Sequence, residues 1–190
     1  MREYDLIADW YASERSSRGG ITEVTALAAA LAPGARVLDI GCGDGVPLTR
    51  ALVDLGCDVV GVDSSARMLE RFRANCPGAR CYCGPIQSCD LGTERPFDAA
   101  IAWGVLFHLP HAEQAEAIAR VADLLVPGGR LLFTSGNEEG ATEGAPMNGV
   151  RFRYWSFDVE GYRRLLASHG LELTSVAVDA GNNTYYSATK

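Results

Sequence analysis

The sequence predicts an α/β fold: a doubly wound, mostly parallel seven-stranded sheet with a C-terminal antiparallel hairpin and helices on both faces. Three observations predict it. Short apolar runs alternate with helix-periodic segments between residues 35 and 134, which is typical of repeated βαβ units. Pro-Gly pairs at 33–34, 77–78 and 127–128 precede three of these runs and mark turns. Two more β-prone runs near the C-terminus flank a five-residue turn, as in a hairpin.

Each element follows from a local pattern. The predicted strands are the apolar runs at residues 37–40, 59–62, 79–83, 97–103, 130–134, 171–178 and 184–188. The predicted helices carry apolar side chains at spacings of three and four, as one buried face requires. These sets are Leu48/Leu52/Leu55, Met68/Leu69/Phe72, Ala115/Ile118/Ala119/Ala122/Leu125 and Tyr162/Leu165/Leu166, the last after candidate caps at Ser156 and Asp158.

Composition and charge argue against several classes of protein. With 190 residues and 47% hydrophobic content, the chain is expected to form one domain. A net charge of -7 argues against a protein that holds a nucleic-acid backbone. Six cysteines occur without a C-x-x-C pair, so we expect no zinc or other metal site. No apolar run approaches the roughly 20 residues of a membrane helix and the N-terminus does not resemble a signal peptide, so we expect a cytoplasmic protein with no membrane contact.

A glycine-rich loop follows the first predicted strand. It reads Asp39-Ile-Gly41-Cys-Gly43-Asp-Gly45 and leads into a helix with Pro47 in its first turn. Glycines permit backbone conformations and a close ligand approach that a Cβ atom blocks. We therefore expect a ligand to lie against this loop.

The spacing of the glycines and the charge of the loop indicate which class of ligand it binds. The G-x-G-x-x-G pattern of dinucleotide-binding proteins needs a sixth-position glycine, where this chain has Val46. Asp39 and Asp44 flank the loop, and carboxylates repel a pyrophosphate but attract a sulfonium and an ammonium group. The loop therefore favours S-adenosylmethionine over a nicotinamide or flavin dinucleotide.

A second acid follows the second strand. Asp63 comes 18 residues after Gly45, at the carboxyl edge where open α/β sheets bind ligands. Its carboxylate can accept both ribose hydroxyls. The alternative is that Asp63 caps the next helix, a role that Ser64 can also fill. We predict both residues at the cofactor.

These motifs resemble those of the class I S-adenosylmethionine-dependent methyltransferases, in particular the members that act on small molecules. The spacing Asp39-x-Gly41-x-Gly43-x-Gly45 and Asp63 match the first two cofactor motifs, and the resemblance covers nearly the whole chain. It implies that Gly41 to Gly45 hold the methionine and adenosine parts. It further implies that Asp39 lies near the amino group and Asp63 on the ribose.

One segment departs from the family. After the third strand, Cys83-Gly84-Pro85 places a proline where the family often has an aspartate for the adenine amino group. We therefore expect adenine to contact the backbone at Ile86 and Gln87. Met68 is predicted to pack on the ring, although an ordinary core position explains it equally well.

The fourth strand ends in Trp103-Gly104, and Phe107-His108-Leu109 follows, similar to a motif common among small-molecule members. We predict Trp103 at the cofactor and Phe107 and His108 at the acceptor. With an ordinary pKa near 6.5, His108 can act as a general base worth about 10²–10⁴-fold, or it only orients or packs. Alignment alone can supply roughly 7–11 kcal/mol for an activated methyl group, so we favour the orienting role.

Two segments outside the core are candidate lids. Aromatic residues recur at helical spacing before residue 15, and in the family such a helix closes over the cofactor. We predict that Tyr11 and Arg15 contact the cofactor, Arg15 through a carboxylate. Tyr4 is predicted at the substrate, although docking on the core explains it equally well. In the long segment 135–157, the residues predicted to line an anionic or aromatic acceptor pocket are Arg151, Arg153, Tyr154 and Trp155.

The predicted organisation is one methyltransferase domain, residues 1–190. It comprises N-terminal lid helices (1–34), a cofactor-binding core (35–134), a substrate-side loop (135–157) and a C-terminal helix with hairpin (158–190). The leading hypothesis is methyl transfer to a small-molecule acceptor by a monomer or homodimer. The alternatives are an RNA or protein methyltransferase and a non-catalytic S-adenosylmethionine-binding module.

Overall fold

The computed structural model describes residues 3–14, 19–92, 94 and 96–190. The strands are β1 Arg36–Ile40, β2 Asp58–Asp63, β3 Arg80–Cys83, β4 Phe97–Ala102, β5 Leu125–Thr134, β6 Gly140–Glu143, β7 Arg153–Ser156, β8 Glu172–Val178 and β9 Thr184–Thr189. The helices are α1 Glu3–Glu14, α2 Ile21–Ala29, α3 Leu48–Asp54, α4 Ala66–Asn75, α5 His111–Leu124 and α6 Val159–Ser168. One 3₁₀ turn, Leu106–His108, follows β4.

Seven strands form one sheet in the order β3-β2-β1-β4-β5-β9-β8. The first five strands pair in parallel, whereas β9 is antiparallel to both β5 and β8. Helices α3, α4 and α5 form the crossover connections from β1 to β2, from β2 to β3 and from β4 to β5. The predicted doubly wound sheet with a C-terminal hairpin is confirmed.

The core lies on both faces of this sheet because successive strand residues point in opposite directions. Leu38 and Ile40 pack in the cluster that includes residues of α5 and α6. Val37, from the same strand, packs with residues of α2 and α3 on the other face. All five residues of β1 are buried, so this strand and the loop after it have a fixed position in the fold.

The segment 135–157 differs from the prediction. We expected a loop, but residues of β6 and β7 pair as an antiparallel two-stranded sheet with Ala141 opposite Trp155. The β-prone aromatic residues of β7 outweigh the glycine-rich composition of the whole segment. Strand β5 also begins five residues earlier than predicted. The pairing of these earlier residues with β4 includes a register shift between Phe97 and Ala99 of β4.

The N-terminal helix α1 packs on α4. The Asp9 carboxylate pairs with Arg67 at 2.9 Å and with Arg71 at 2.5 Å. Ser65, the N-cap of α4, donates its hydroxyl hydrogen to Asp5 and accepts from the Met68 amide. No helix among the described residues is long and apolar enough to cross a membrane.

Candidate active site

Two adjoining cavities open at the carboxyl edge of the parallel strands. The first has a volume of about 490 Å³ and the second about 790 Å³. Five of the lining residues are common to the two cavities and form a common wall: Tyr4, Tyr11, Trp103, Gly104 and His108. A ligand in one cavity therefore lies next to a ligand in the other across this common wall.

The glycine-rich loop forms one wall of the first cavity. The amides of Gly41 and Cys42 both donate to the Val62 carbonyl, at 2.7 and 3.2 Å, which fixes the loop on β2. Gly41 has a φ of +68°, and a Cβ atom there would lie 2.6 Å from the Val105 side chain. Only glycine meets both requirements without rearrangement.

Gly45 has a different role from Gly41 and Gly43. It does not line the cavity; a Cβ atom at this position would lie 2.6 Å from Cys76 Sγ and 3.0 Å from the Phe72 ring. Its lack of a side chain lets the loop pack against α4. The predicted contact of Gly45 with the cofactor thus gains no support from the geometry.

Asp63 joins the loop to the start of α4. Its Oδ2 accepts from the Gly43 amide at 2.9 Å and its Oδ1 from the Ser65 amide at 2.8 Å. Burial raises the pKa of this carboxyl, while the two amide donors act in the opposite direction. A carboxylate offers about four lone-pair directions, so two remain for a ligand. Helix α4 is capped by Ser65, so Asp63 and Ser64 do not serve as its cap.

Carboxylates dominate the charge of the first cavity. Its described lining includes Glu3, Asp63 and Glu113 and contains no Lys or Arg. Ser64, Met68, Ile86 and Gln87 also line it, as do Pro85 and Leu109. The predicted ribose and adenine contacts are thereby brought together around one space.

Asp39 and Arg15 are placed differently. Asp39 is 3% exposed, accepts a hydrogen bond from the Thr49 hydroxyl and does not line the cavity. Any effect on a bound cation must act through the field of its charge rather than by contact. Arg15 lies outside the described residues, so its predicted role stays a prediction.

His108 lies in an aromatic enclosure at the common wall. Its ring is 7% exposed and is surrounded by the rings of Tyr4, Phe107, Phe152 and Tyr154, with centroids 4.8–5.5 Å away. Nε2 is 3.0 Å from the Tyr4 hydroxyl oxygen, whereas Nδ1 is buried without a partner among the described atoms.

This enclosure changes the protonation of the imidazole. Burial lowers the pKa of His108 to about 4, below the ordinary value assumed from the sequence. The ring is therefore neutral at pH 7. A neutral imidazole can orient an acceptor through a hydrogen bond but is a weak proton acceptor, which favours the orienting role over the general base.

The second cavity has aromatic and acidic walls. Three residues predicted at the acceptor line this cavity: Phe107, Tyr154 and Trp155. Arg153 does not: its guanidinium lies 5.4 Å from the Trp155 ring centroid on the exposed face of β7. Arg151 pairs with Glu143 at 2.6 Å and also lies outside the cavity. Alternation along β7 places Arg153 on the opposite face of the strand from Tyr154.

A buried polar network supports the acceptor side, and no pattern in the sequence predicted it. Gln114 is fully buried, and its Nε2 donates to the carbonyls of Leu109 at 2.8 Å and Trp155 at 2.9 Å. Its Oε1 accepts from the Tyr162 hydroxyl at 2.7 Å. Gln114 thus joins the 3₁₀ turn that carries His108 to strand β7. A lone glutamine within an amphipathic helix has no pattern that distinguishes it from a surface residue.

The chain is similar to known methyltransferases. A family model described as "Methyltransferase domain" matches residues 37–129. A ubiquinone biosynthesis O-methyltransferase from Xanthomonas campestris pv. campestris is 34% identical over 124 residues, which are 63% of this chain and 51% of that protein. The chain spans about half the length of the curated relatives it matches.

Solved structures share the fold over nearly the whole chain. The CcbJ methyltransferase from Streptomyces caelestis has a TM-score of 0.81 and 22% identity, covering 98% of this chain and 96% of its own. CalS10, an amino pentose methyltransferase from Micromonospora echinaspora solved with bound S-adenosylmethionine, has a TM-score of 0.73 and 24% identity, covering 97% and 95%. The glycine motif, the sheet order and the family match lead to one conclusion: residues 37–129 match the methyltransferase-domain family, and the chain has the fold of the class I S-adenosylmethionine-dependent methyltransferases.

Proposed function

We propose that this protein binds S-adenosylmethionine in the first cavity and methylates a small molecule held in the second. One observation carries the proposal: the described lining of the first cavity combines a glycine-rich loop with three carboxylates and has no Lys or Arg. Such a lining repels the pyrophosphate of a dinucleotide and attracts a sulfonium and an ammonium group. Because the two cavities share a wall, a methyl group can pass from a cofactor in the first cavity to an acceptor in the second.

The residues of the first cavity fit the cofactor part by part. Asp63 has free lone pairs for the ribose hydroxyls, and its bonds to the loop and to α4 hold the carboxylate in place. Ile86 and Gln87 offer backbone groups to the adenine, beside Met68. Gly41 and Gly43 leave space for the methionine part.

When bound, S-adenosylmethionine supplies a methyl group that is already activated on a sulfonium. The task of the protein is then to align the acceptor and to exclude water. Tyr4 and Tyr11 of α1, with Trp103, enclose the junction of the cavities. Neutral His108 orients the acceptor at this junction by a hydrogen bond.

A small-molecule acceptor is supported by the relatives and by the charge. One relative is named for ubiquinone biosynthesis and one structural neighbour acts on an amino pentose. The net charge of -7 disfavours RNA. We propose a cytoplasmic, single-domain enzyme.

Calorimetry tests the cofactor first. S-adenosylmethionine and S-adenosylhomocysteine should bind and NAD should not; tighter binding of NAD than of S-adenosylhomocysteine would refute the assignment. Incubation with labelled S-adenosylmethionine and a metabolite extract then tests turnover. Release of S-adenosylhomocysteine separates an enzyme from a silent binding module. Label transferred to added RNA or protein, and not to the extract, would favour the alternative acceptors.

A further inference from the structure

The second cavity differs from a general small-molecule pocket in its charge. Its described lining includes two carboxylates, Glu138 and Glu139, and no Lys or Arg. Both glutamates are exposed at the rim, and neither forms an ion pair with a described residue. No described cation therefore neutralises their charge, which acts on whatever enters.

The walls behind this rim are aromatic. The rings of Tyr11, Trp103, Phe107, Tyr154 and Trp155 belong to residues that line the cavity. A cation near an aromatic face is attracted by the negative electrostatic potential of the ring. Acidic groups at the entrance and aromatic rings inside form the combination that favours a cation over an anion of the same size.

Neutral polar groups complete the lining. Ser135 and Thr142 offer hydroxyls, and Asn137, Asn182 and Asn183 offer amides. The position of Glu138 is fixed by a 2.6 Å hydrogen bond from the Ser156 hydroxyl to its backbone carbonyl. The cavity can therefore bind a polar molecule with hydrogen-bonding groups besides its charge.

His108 provides an independent observation at the inner end. It is 7% exposed, lines both cavities, and has a buried Nδ1 without a partner among the described atoms. A buried polar atom without a partner is uncommon, and a bound ligand is one group that can satisfy it. Both tautomers remain open, because the Tyr4 hydroxyl can donate to or accept from Nε2.

We infer that the acceptor is a small amine, attracted by Glu138 and Glu139, held against the aromatic walls and methylated on nitrogen at the junction with the first cavity. This inference rests on the proposed function. The bound ammonium first releases one proton to solvent. The lone pair of the neutral amine then forms the N–C bond as the S–C bond breaks, the S–C electron pair stays on sulfur, and the product is a methylated ammonium.

The chemistry of the junction agrees with this choice of atom. A hydroxyl acceptor must lose its proton during transfer and therefore benefits from a strong base. Burial has lowered the pKa of His108 to about 4, so it is a poor base for that step. An ammonium is more acidic than a hydroxyl and can release its proton to solvent before transfer, so the transfer step itself needs no protein base.

The test separates acceptors by charge without assuming their identity. A metabolite extract is divided by ion exchange at pH 7 into cationic, neutral and anionic fractions, and each is incubated with the protein and labelled S-adenosylmethionine. We expect labelled product from the cationic fraction only, identified as an N-methylated amine by mass spectrometry. Label mainly in the neutral or anionic fraction, or in an O-methylated product, would overturn the inference.

A matched pair of double variants tests the two glutamates. E138Q/E139Q should lower labelling from a subsaturating cationic fraction at least fivefold, while E116Q/E172Q, which removes the same charge from exposed positions outside the cavities, should not. Equal labelling by the two double variants would exclude attraction by the rim.

Binding of S-adenosylhomocysteine distinguishes a failure of the amine inference from a failure of the proposed function. If it binds and no fraction is labelled, or the wrong one is, the amine inference fails and the cofactor assignment stands. If it does not bind to the wild-type protein, the proposed function itself fails.

Discussion

The two cavities are built from different parts of the molecule. The first is formed by the ends of buried strands, including Ile40 and Val62, and by a loop held through backbone hydrogen bonds. The second is formed largely by peripheral segments, such as the exposed residues 137–142 and the turn at Asn182 and Asn183. The proposed cofactor site is therefore built on the buried core, whereas the proposed acceptor site is lined largely by peripheral elements. Changes at the two sites should have separable effects.

The largest effect is expected at the first cavity. Asp63→Ala removes bonds to the ribose worth about 1.5–3 kcal/mol each, so affinity for S-adenosylhomocysteine should fall at least about 100-fold in calorimetry. Because Asp63 also accepts from Gly43 and Ser65, we expect the ligand-free melting temperature to fall as well.

Asp44→Ala is the matched control for Asp63→Ala. Asp44 flanks the same loop but does not line the cavity. Its affinity change should stay within about threefold, as expected of a charge without direct contact. Similar losses in the two variants would show that the charge of the loop region, and not ribose contact, governs binding.

The next effect concerns the support of the second cavity. Gln114→Leu removes the side-chain donor to two carbonyls and one of the two partners of the Tyr162 hydroxyl, which keeps Ser135, so the free energy of unfolding should fall by about 3–5 kcal/mol in urea titrations. The folded fraction should bind S-adenosylhomocysteine normally, because Gln114 does not line the first cavity. A parallel loss of cofactor affinity would contradict the separation of the two sites.

A pH effect is expected at the common wall. The folded-state pKa of His108 is about 4 and the unfolded value is near 6.5, so below pH 6.5 the unfolded state binds more protons. Unfolding free energy should therefore fall as the pH drops from about 6.5 to 4, by up to about 3 kcal/mol. His108→Gln should remove this part of the pH dependence. His169→Gln, at an exposed position, should retain it.

The smallest effect is expected for the docking of α1. Asp9→Asn breaks exposed ion pairs with Arg67 and Arg71, so the melting temperature should change by less than about 2 °C and the change should vanish at high salt. Asp54→Asn, which breaks the exposed pair with Arg50 elsewhere, is the control. If only Asp9→Asn increases proteolysis near the N-terminus, these pairs hold α1 in place.

The sequence predicts the fold and the first cavity better than the second. The sheet and hairpin follow from patterns of neighbouring residues, and the glycine loop with Asp63 is a contiguous motif at fixed spacing. The enclosure of His108 depends on Tyr4, Phe152 and Tyr154, which come together only in the folded chain. No local pattern reveals such an enclosure or the pKa that results from it. The β6–β7 pairing was not predicted either, because the glycine-rich composition of segment 135–157 as a whole hides the β-prone aromatic residues of β7.

The β6–β7 hairpin shares no ladder hydrogen bonds with the seven-stranded sheet. The four exposed residues of β6 can therefore be exchanged without altering the register of any strand that positions the glycine loop. Retaining the Trp155 carbonyl, which accepts from Gln114, preserves the attachment of the hairpin to the domain. This makes the hairpin the natural segment to diversify in directed evolution toward new acceptors, with the methyl donor site left intact.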